Sequence, residues 1–131
     1  MNMTKLNKTI LIADDDFDFL FQIRLKLETE GFDVIATNSQ KEAENAIRKF
    51  EFDAAVFDLM MENDESGFIL AYKVKKKNPN IPVVITTAVS AETGIFFNND
   101  NKWIKADIYL EKGLESDCVC KELKKLLNIE K

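Results

Sequence analysis

Histidine is absent from the 131 residues of this chain, and several kinds of active site are excluded with it. Without histidine, the chain alone cannot form a Ser-His-Asp or Cys-His nucleophilic site, use a histidine general base or bind zinc through histidine. Cysteine is scarce, because Cys118 and Cys120 are its only examples. They stand two apart in a predicted helix, so their side chains diverge and we expect no disulfide between them. Two thiols are too few for a structural zinc site, and a small domain without disulfides fits a reducing cytoplasm.

Glycine, long apolar runs and positive charge are also in short supply. The four glycines do not have the spacing of a nucleotide-binding P-loop. No run of about 18 apolar residues offers a membrane span, and the first residues lack the apolar stretch of a secretory signal. The formal net charge of −5 argues against nucleic acid as the main partner, because phosphate binding requires a basic surface. We therefore expect a cytoplasmic protein with no membrane or nucleic-acid partner.

The sequence does contain enough apolar residues for a folded domain, since they make up 46% of the chain. Short β-branched segments alternate with segments of helical spacing, a pattern typical of parallel strands joined by crossover helices. We predict one α/β domain over residues 1–131, with a doubly wound five-stranded parallel sheet and helices on both faces. The predicted strands are 9–13, 33–37, 54–57, 82–87 and 108–110, and the predicted helices are 17–30, 39–50, 67–77 and 116–129.

Polar side chains stand at the ends of four of the five predicted strands. In an open α/β sheet, ligands bind outside the carboxyl ends of the strands, so these residues are candidates for one small site. Three carboxylates drawn together repel one another, and a hard divalent cation such as Mg²⁺ relieves that repulsion. A lysine and a hydroxyl nearby suit a phosphoryl group, which an aspartate can accept as a nucleophile. Taken singly, each residue also fits a turn, a helix cap or a surface charge. The candidates are Asp14, Asp15, Asp16, Asp58, Thr87 and Lys112.

With these residues in register, the sequence resembles the response-regulator receiver domains of two-component signalling. The resemblance covers essentially the whole chain, and it implies strand order 2-1-3-4-5 and a signalling domain that is not itself an enzyme. The matching segments are Ile-Leu-Ile-Ala-Asp-Asp-Asp at 10–16, Phe-Asp-Leu-Met-Met at 57–61, Thr-Ala at 87–88 and Tyr-Leu-Glu-Lys at 109–112.

The resemblance implies a phosphoacceptor and a Mg²⁺ site. Asp58 would accept the phosphoryl group and would also contribute to binding the metal. Asp15 would bind Mg²⁺ directly, and Asp14 would act through water. The backbone carbonyl of Met60 would complete the protein ligands, whereas Asp16 would stay outside the metal shell.

The resemblance also implies which residues bind the phosphoryl group and respond to it. Lys112 would neutralise one phosphoryl oxygen, and the hydroxyl of Thr87 would donate to another. Ala88 is small enough to leave the phosphoryl group room. Thr87 and Tyr109 would change position together as the domain switches.

Two departures from the family pattern lie close to the predicted site. Glu62 stands where the family commonly has proline, and Gly67 comes about one residue late, so the loop 62–66 is enlarged and acidic. The added charge repels a phosphodonor or tunes metal affinity, unless the loop is simply solvated. Gly113 stands where the family usually has proline after the lysine, commonly on a cis peptide bond. A cis bond before glycine costs several kcal/mol rather than about one, so Lys112 is held less rigidly or the bond is trans.

A third departure is the segment 89–106, which fits the alternating pattern poorly. It contains four polar residues at 98–101, so we expect the helix in this segment to be short or irregular. Phe96, Phe97 and Trp103 lie here as well. These rings either pack onto the sheet in place of helix side chains or form an aromatic patch where a partner protein docks.

The leading hypothesis is a stand-alone receiver that a sensor histidine kinase or a phosphotransfer protein phosphorylates on Asp58. Since the chain has no histidine, the family's phosphohistidine donor must lie on another protein. A downstream protein would then be contacted, with 89–106 as a candidate surface. The first alternative is a receiver-like interaction module that no longer switches by phosphorylation, as the departures at Glu62 and Gly113 suggest. The second is a Mg²⁺-dependent hydrolase, which would lack an acidic residue at the position of Met60.

Overall fold

A computed structural model describes residues 5–87, 106–111 and 116–129 of the chain. These residues contain five strands and four helices that follow one another as the sequence pattern predicts, with small differences at their ends. The irregular helix expected in 89–106 lies almost entirely outside the described residues. The strands are β1 (Thr9–Ala13), β2 (Asp33–Thr37), β3 (Ala54–Asp58), β4 (Val83–Thr87) and β5 (Ile108–Glu111), and the helices are α1 (Phe17–Thr29), α2 (Gln40–Lys49), α3 (Ser66–Lys77) and α4 (Ser116–Leu126).

The five strands form one parallel sheet in the order β2-β1-β3-β4-β5, which confirms the predicted fold class and strand order. The register places Ala13 of β1 opposite Phe57 of β3. The residues that follow them, Asp14 and Asp58, are therefore neighbours at the carboxyl edge of the sheet. The register also places Thr86 of β4 opposite Asp58, on the other side of β3.

Both faces of the sheet are buried, which explains why the central strands are almost continuously apolar. Leu11, Phe57 and Ile85 belong to a core cluster that also contains side chains of α2 and α3. Ile12 and Val56 belong to the cluster on the other face, which contains side chains of α1 and α4. Each buried large side chain contributes about 1.5 to 3 kcal/mol through its removal from water. Packing on both faces therefore fixes the strands whose carboxyl ends carry the candidate site residues.

Local sequence signals set the ends of the helices. The Ser39 hydroxyl accepts the N–H of Glu42 at 3.1 Å, and the Glu42 carboxylate accepts the N–H of Asn38 at 2.9 Å, so Ser39 and Glu42 cap the start of α2. Gly31 follows α1 with φ of 103°, a left-handed conformation that glycine adopts without strain. These caps fix where the loops at the sheet edges begin.

The remaining sequence expectations concern the cysteines and the membrane. Cys118 is half-buried and Cys120 is buried, and both are unbridged thiols. Within the described ranges, each helix is too short or too polar to cross a bilayer.

Candidate functional site

Three aspartates meet at the carboxyl edge of the sheet. One carboxylate oxygen from each of Asp14, Asp15 and Asp58 lies within 4.8 Å of the other two. Asp14 and Asp58 are only 3% and 5% exposed, whereas Asp15 is open to solvent. The cluster is therefore a shallow acidic site with two buried carboxylates and one exposed carboxylate.

The chemistry of this cluster favours a divalent cation. Two unit negative charges about 5 Å apart repel each other by about 3 kcal/mol at the effective dielectric constant typical of such sites. A bound cation converts this repulsion into attraction. All three donors are carboxylate oxygens, which Mg²⁺ prefers over nitrogen or sulfur, and the exposed side leaves room for water ligands. The residues present therefore fit Mg²⁺.

The three consecutive aspartates after β1 divide between two tasks. The N–H of Asp14 donates to the carbonyl of Thr37 at 3.2 Å, which continues the pairing of β1 with β2. The Asp14 carboxylate accepts the N–H of Asp16 at 2.9 Å, so its orientation is fixed. Asp16 instead caps α1, because its carboxylate accepts the N–H groups of Asp18 and Phe19. Asp16 thus stabilises the start of α1, whereas Asp14 and Asp15 belong to the acidic cluster.

Gly67 allows α3 to begin directly against the backbone of Asp58. A Cβ atom at Gly67 would lie 2.8 Å from the Cα of Leu59 and 2.9 Å from the carbonyl oxygen of Asp58, closer than atoms can pack. The N–H of Gly67 donates to the carbonyl of Leu59 at 2.8 Å, and the N–H of Leu59 donates to the carbonyl of Thr86 at 2.8 Å. The backbone that carries Asp58 is therefore held from two sides.

The loop 62–66 is acidic, as expected, and is exposed from 62 to 65, but hydrogen bonds attach it to the start of α2 and its last residue, Ser66, is buried. The Glu62 carboxylate accepts the N–H of Gln40 at 2.9 and 3.1 Å. The side-chain oxygen of Gln40 accepts from the Asn63 amide at 2.9 Å and from the Ser66 hydroxyl at 2.7 Å. Sequence reasoning missed this network, because a glutamine at the start of a helix and a serine 26 residues later give no local signal of their contact.

Thr87 and Tyr109 lie on the two strands beyond β3. Thr87 ends β4 and is buried. Tyr109 is half-buried in β5, and its ring meets Phe68 of α3 edge to face, with 6.4 Å between ring centroids and 84° between planes. Burial raises the pKa of the Tyr109 phenol above its ordinary value, so the group stays neutral at physiological pH.

The other predicted residues are placed less completely. Met60 follows Asp58 by two residues, and its side chain is exposed. The residues of the sequence hypotheses that lie outside the described part of the chain are Ala88, Lys112, Gly113, Phe96, Phe97 and Trp103.

Comparison with known proteins identifies the family. The chain matches the response regulator receiver domain family over residues 10–124. It is 34% identical over 94 residues to the transcriptional regulatory protein ZraR of Escherichia coli, which covers 71% of this chain and 21% of that protein. It is 30% identical over 103 residues to the transcriptional regulatory protein RprY of Bacteroides fragilis, which covers 79% of this chain and 42% of that protein. The chain thus spans less than half the length of either relative.

Solved structures of similar fold agree with this assignment. A CheY-like receiver domain protein from Methanospirillum hungatei has a TM-score of 0.79 and 29% identity, covering 92% of this chain and 94% of that one. The receiver domain of Francisella response regulator 1452 has a TM-score of 0.77 and 32% identity, covering 93% and 98%. Receiver domains are the signalling modules of two-component systems, and the chain belongs to the response regulator receiver domain family.

Proposed function

We propose that residues 1–131 form a receiver domain that accepts a phosphoryl group on Asp58 in a Mg²⁺-dependent step and then changes its contacts with other proteins. The observation that carries the proposal is the meeting of Asp14, Asp15 and Asp58 within 4.8 Å at the carboxyl edge of the sheet. Membership of the receiver family supports it, since aspartyl phosphorylation is implied by that family. The domain acts as a phosphoryl acceptor and switch, not as an enzyme that turns over a substrate.

In the proposed reaction, one oxygen of the Asp58 carboxylate attacks the phosphorus atom of the donor. An O–P bond forms, and the bond between phosphorus and the donor's histidine nitrogen breaks, with its electron pair leaving on the donor. Asp14, Asp15, Asp58 and the backbone carbonyl of Met60 would hold Mg²⁺. When bound, the ion supplies positive charge beside the phosphoryl oxygens.

The phosphoryl group would then bias two residues on the outer strands. The Thr87 hydroxyl would donate to one phosphoryl oxygen, Lys112 would neutralise another, and Ala88 would leave them space. Tyr109 would change rotamer against Phe68 as Thr87 moves. The new contacts exist only in the phosphorylated state, so they shift a two-state equilibrium towards it.

A phosphohistidine that supplies the phosphoryl group must lie outside residues 1–131, because these residues include no histidine. A sensor histidine kinase or a phosphotransfer protein fits this role. Phe17, Phe21 and Leu25 are spaced four apart along α1 and are 67%, 65% and 54% exposed, beginning three residues after Asp14. Such an exposed apolar stripe is typical of a protein interface, and it would place the donor beside the acidic site. A downstream protein would bind elsewhere, with 89–106 as the candidate surface.

The proposed location of the domain is the cytoplasm, and its cysteines support this. Cys118 and Cys120 are unbridged, which suits a reducing cytoplasm. No nucleic-acid or membrane contact is part of the proposed function of this domain, whose net charge is −5.

The test is incubation with acetyl phosphate and Mg²⁺, followed by intact-mass measurement. Wild-type protein is expected to gain the mass of one phosphoryl group, and Asp58→Asn is expected to gain none. Asp64→Asn is the matched control, because Asp64 is an exposed aspartate of the next loop outside the cluster. An unmodified wild type, or an equal gain in Asp58→Asn, would contradict the proposal. The unmodified wild type is the result that the alternative interaction module predicts.

A further inference from the structure

The loop that follows Asp58 is anchored at both ends, with Met60 between the anchors. At its start, the backbone of Leu59 bonds to Thr86 and to Gly67. At its end, Ser66 is fully buried and its hydroxyl donates to the side chain of Gln40 at 2.7 Å. The first anchor acts on Asp58 and Leu59 and does not involve α2. The second anchor acts on the part of the loop beyond Met60.

Gln40 is the residue on which the second anchor depends. Its side-chain oxygen accepts from Asn63 and Ser66, while its side-chain nitrogen donates to Glu44 at 2.9 Å. Its backbone N–H donates to Glu62. The donor and the acceptor of this amide are both engaged, so its orientation is specified by the contacts around it. The half-buried side chain of Gln40 therefore holds two positions of the β3–α3 loop, Asn63 and Ser66, and its backbone N–H holds a third, Glu62.

We propose that Gln40 is a positioning residue for the metal site: by holding Asn63 and Ser66, it sets the path of the loop and thereby the position of the Met60 carbonyl. The inference rests on the proposed function, which makes that carbonyl a Mg²⁺ ligand. Gln40 itself does not belong to the carboxylate cluster. Mutation of the outer partners that orient metal ligands typically lowers metal affinity by about 10- to 100-fold.

Because the two anchors are separate, removing the Gln40 contacts should change Mg²⁺ affinity but not the rate of phosphorylation at saturating Mg²⁺. Loss of the Gln40 contacts loosens the loop around Met60, so Mg²⁺ binding weakens. Asp58 stays in place, because its strand pairing and the bonds of Leu59 are untouched. Phosphorylation at saturating Mg²⁺ should therefore proceed at the rate of the wild type. A merely structural role for Gln40 would lower the free energy of unfolding and leave the Mg²⁺ dissociation constant unchanged.

The variants are chosen to remove hydrogen bonds while keeping volume. Gln40→Met has nearly the length of glutamine and is a good helix former, and Ser66→Ala removes the hydroxyl from the other side of the contact. The double variant completes a mutant cycle. Lys41→Ala is the matched control, since Lys41 is exposed on the same turn of α2 and takes part in none of these bonds.

The measurement is a calorimetric Mg²⁺ titration of the unphosphorylated protein, with circular dichroism to establish folding. The dissociation constant is expected to rise about tenfold in Gln40→Met and in Ser66→Ala, and in the double variant to rise by less than the product of the two single effects, because both variants remove the Gln40–Ser66 contact. Lys41→Ala is expected to bind as the wild type does. Equal Mg²⁺ affinity in folded Gln40→Met and wild type overturns the inference alone. A wild type that binds no Mg²⁺ overturns the proposed function, and this inference with it.

Discussion

At the scale of single residues, the site depends on a glycine that lacks a side chain as well as on charged aspartates. α3 can begin against the backbone of Asp58 and Leu59 only because Gly67 has no side chain. The contact is between backbone atoms of both partners, so a flexible side chain cannot move aside to relieve it. Glycine is required here by close approach and not by an unusual backbone angle.

Gly67→Ala is therefore expected to destabilise the domain, although alanine is the better helix former. The gain in helix propensity is at most about 1 kcal/mol, whereas forcing a methyl group into a filled space costs about 1 to 3 kcal/mol or more. The free energy of unfolding, measured by urea denaturation, should fall. Lys73→Ala, on the exposed face of the same helix, should leave it nearly unchanged. An undiminished unfolding midpoint in Gly67→Ala would contradict the close packing described here.

At the scale of helices and strands, the sequence predicts the features that depend on residues close together in the chain. The β-branched run at 9–13 and the helical spacing over 39–50 are local, and both predicted their elements. Because ligands bind outside the carboxyl ends of parallel strands, the sequence also predicted that Asp14, Asp15 and Asp58 belong to one site. Contacts between separate segments, such as that of Gln40 with Ser66, depend on how elements pack and leave no periodic trace in the sequence.

The ends of α1 and α4 are joined by an ion pair of this non-local kind. The Glu30 carboxylate accepts from Lys124 at 2.6 Å and lies 3.3 Å from Lys26. The hydrogen bond from Lys124, with a smaller contribution from Lys26, lowers the pKa of Glu30 below its ordinary value. A carboxyl group with a lowered pKa in the folded state stabilises the fold above its unfolded pKa, and that stability is lost as pH falls through the folded value.

Glu30→Gln is expected to reduce the free energy of unfolding at neutral pH and to have progressively less effect in acid. The difference from wild type should shrink as pH falls below the ordinary glutamate pKa and vanish below the lowered value, because Glu30 is then protonated in both states. Urea denaturation at a series of pH values measures this. Glu51→Gln, at an almost fully exposed residue 4.0 Å from Lys77, should show little effect at any pH. A difference for Glu30→Gln that is independent of pH would show that its charge is not the cause.

At the scale of the whole molecule, the acidic site and the stability of the fold act against each other. The sheet brings two buried carboxylates and one exposed carboxylate together, and the repulsion of Asp58 by Asp14 and Asp15 is present only in the folded chain. A bound cation reverses this, because a ligand that binds only the folded state stabilises it in proportion to the logarithm of its concentration. The free energy of unfolding should therefore be lowered by carboxylate repulsion without Mg²⁺ and should rise as Mg²⁺ is added.

Asp14→Asn should be more stable than the wild type in EDTA and less stable than the wild type at high Mg²⁺. The asparagine oxygen can still accept the N–H of Asp16, so the turn after β1 is kept while one charge is removed. In EDTA, the loss of repulsion should raise the free energy of unfolding by about 2 kcal/mol over the wild type. As Mg²⁺ is added, the wild type should gain about 1.4 kcal/mol for each tenfold rise in concentration above its dissociation constant, whereas the variant should gain little. Thermal and urea unfolding across a Mg²⁺ series would test this. Parallel curves for the two proteins would mean that Asp14 takes no part in binding the ion, and a variant less stable in EDTA would mean that repulsion does not dominate the cluster.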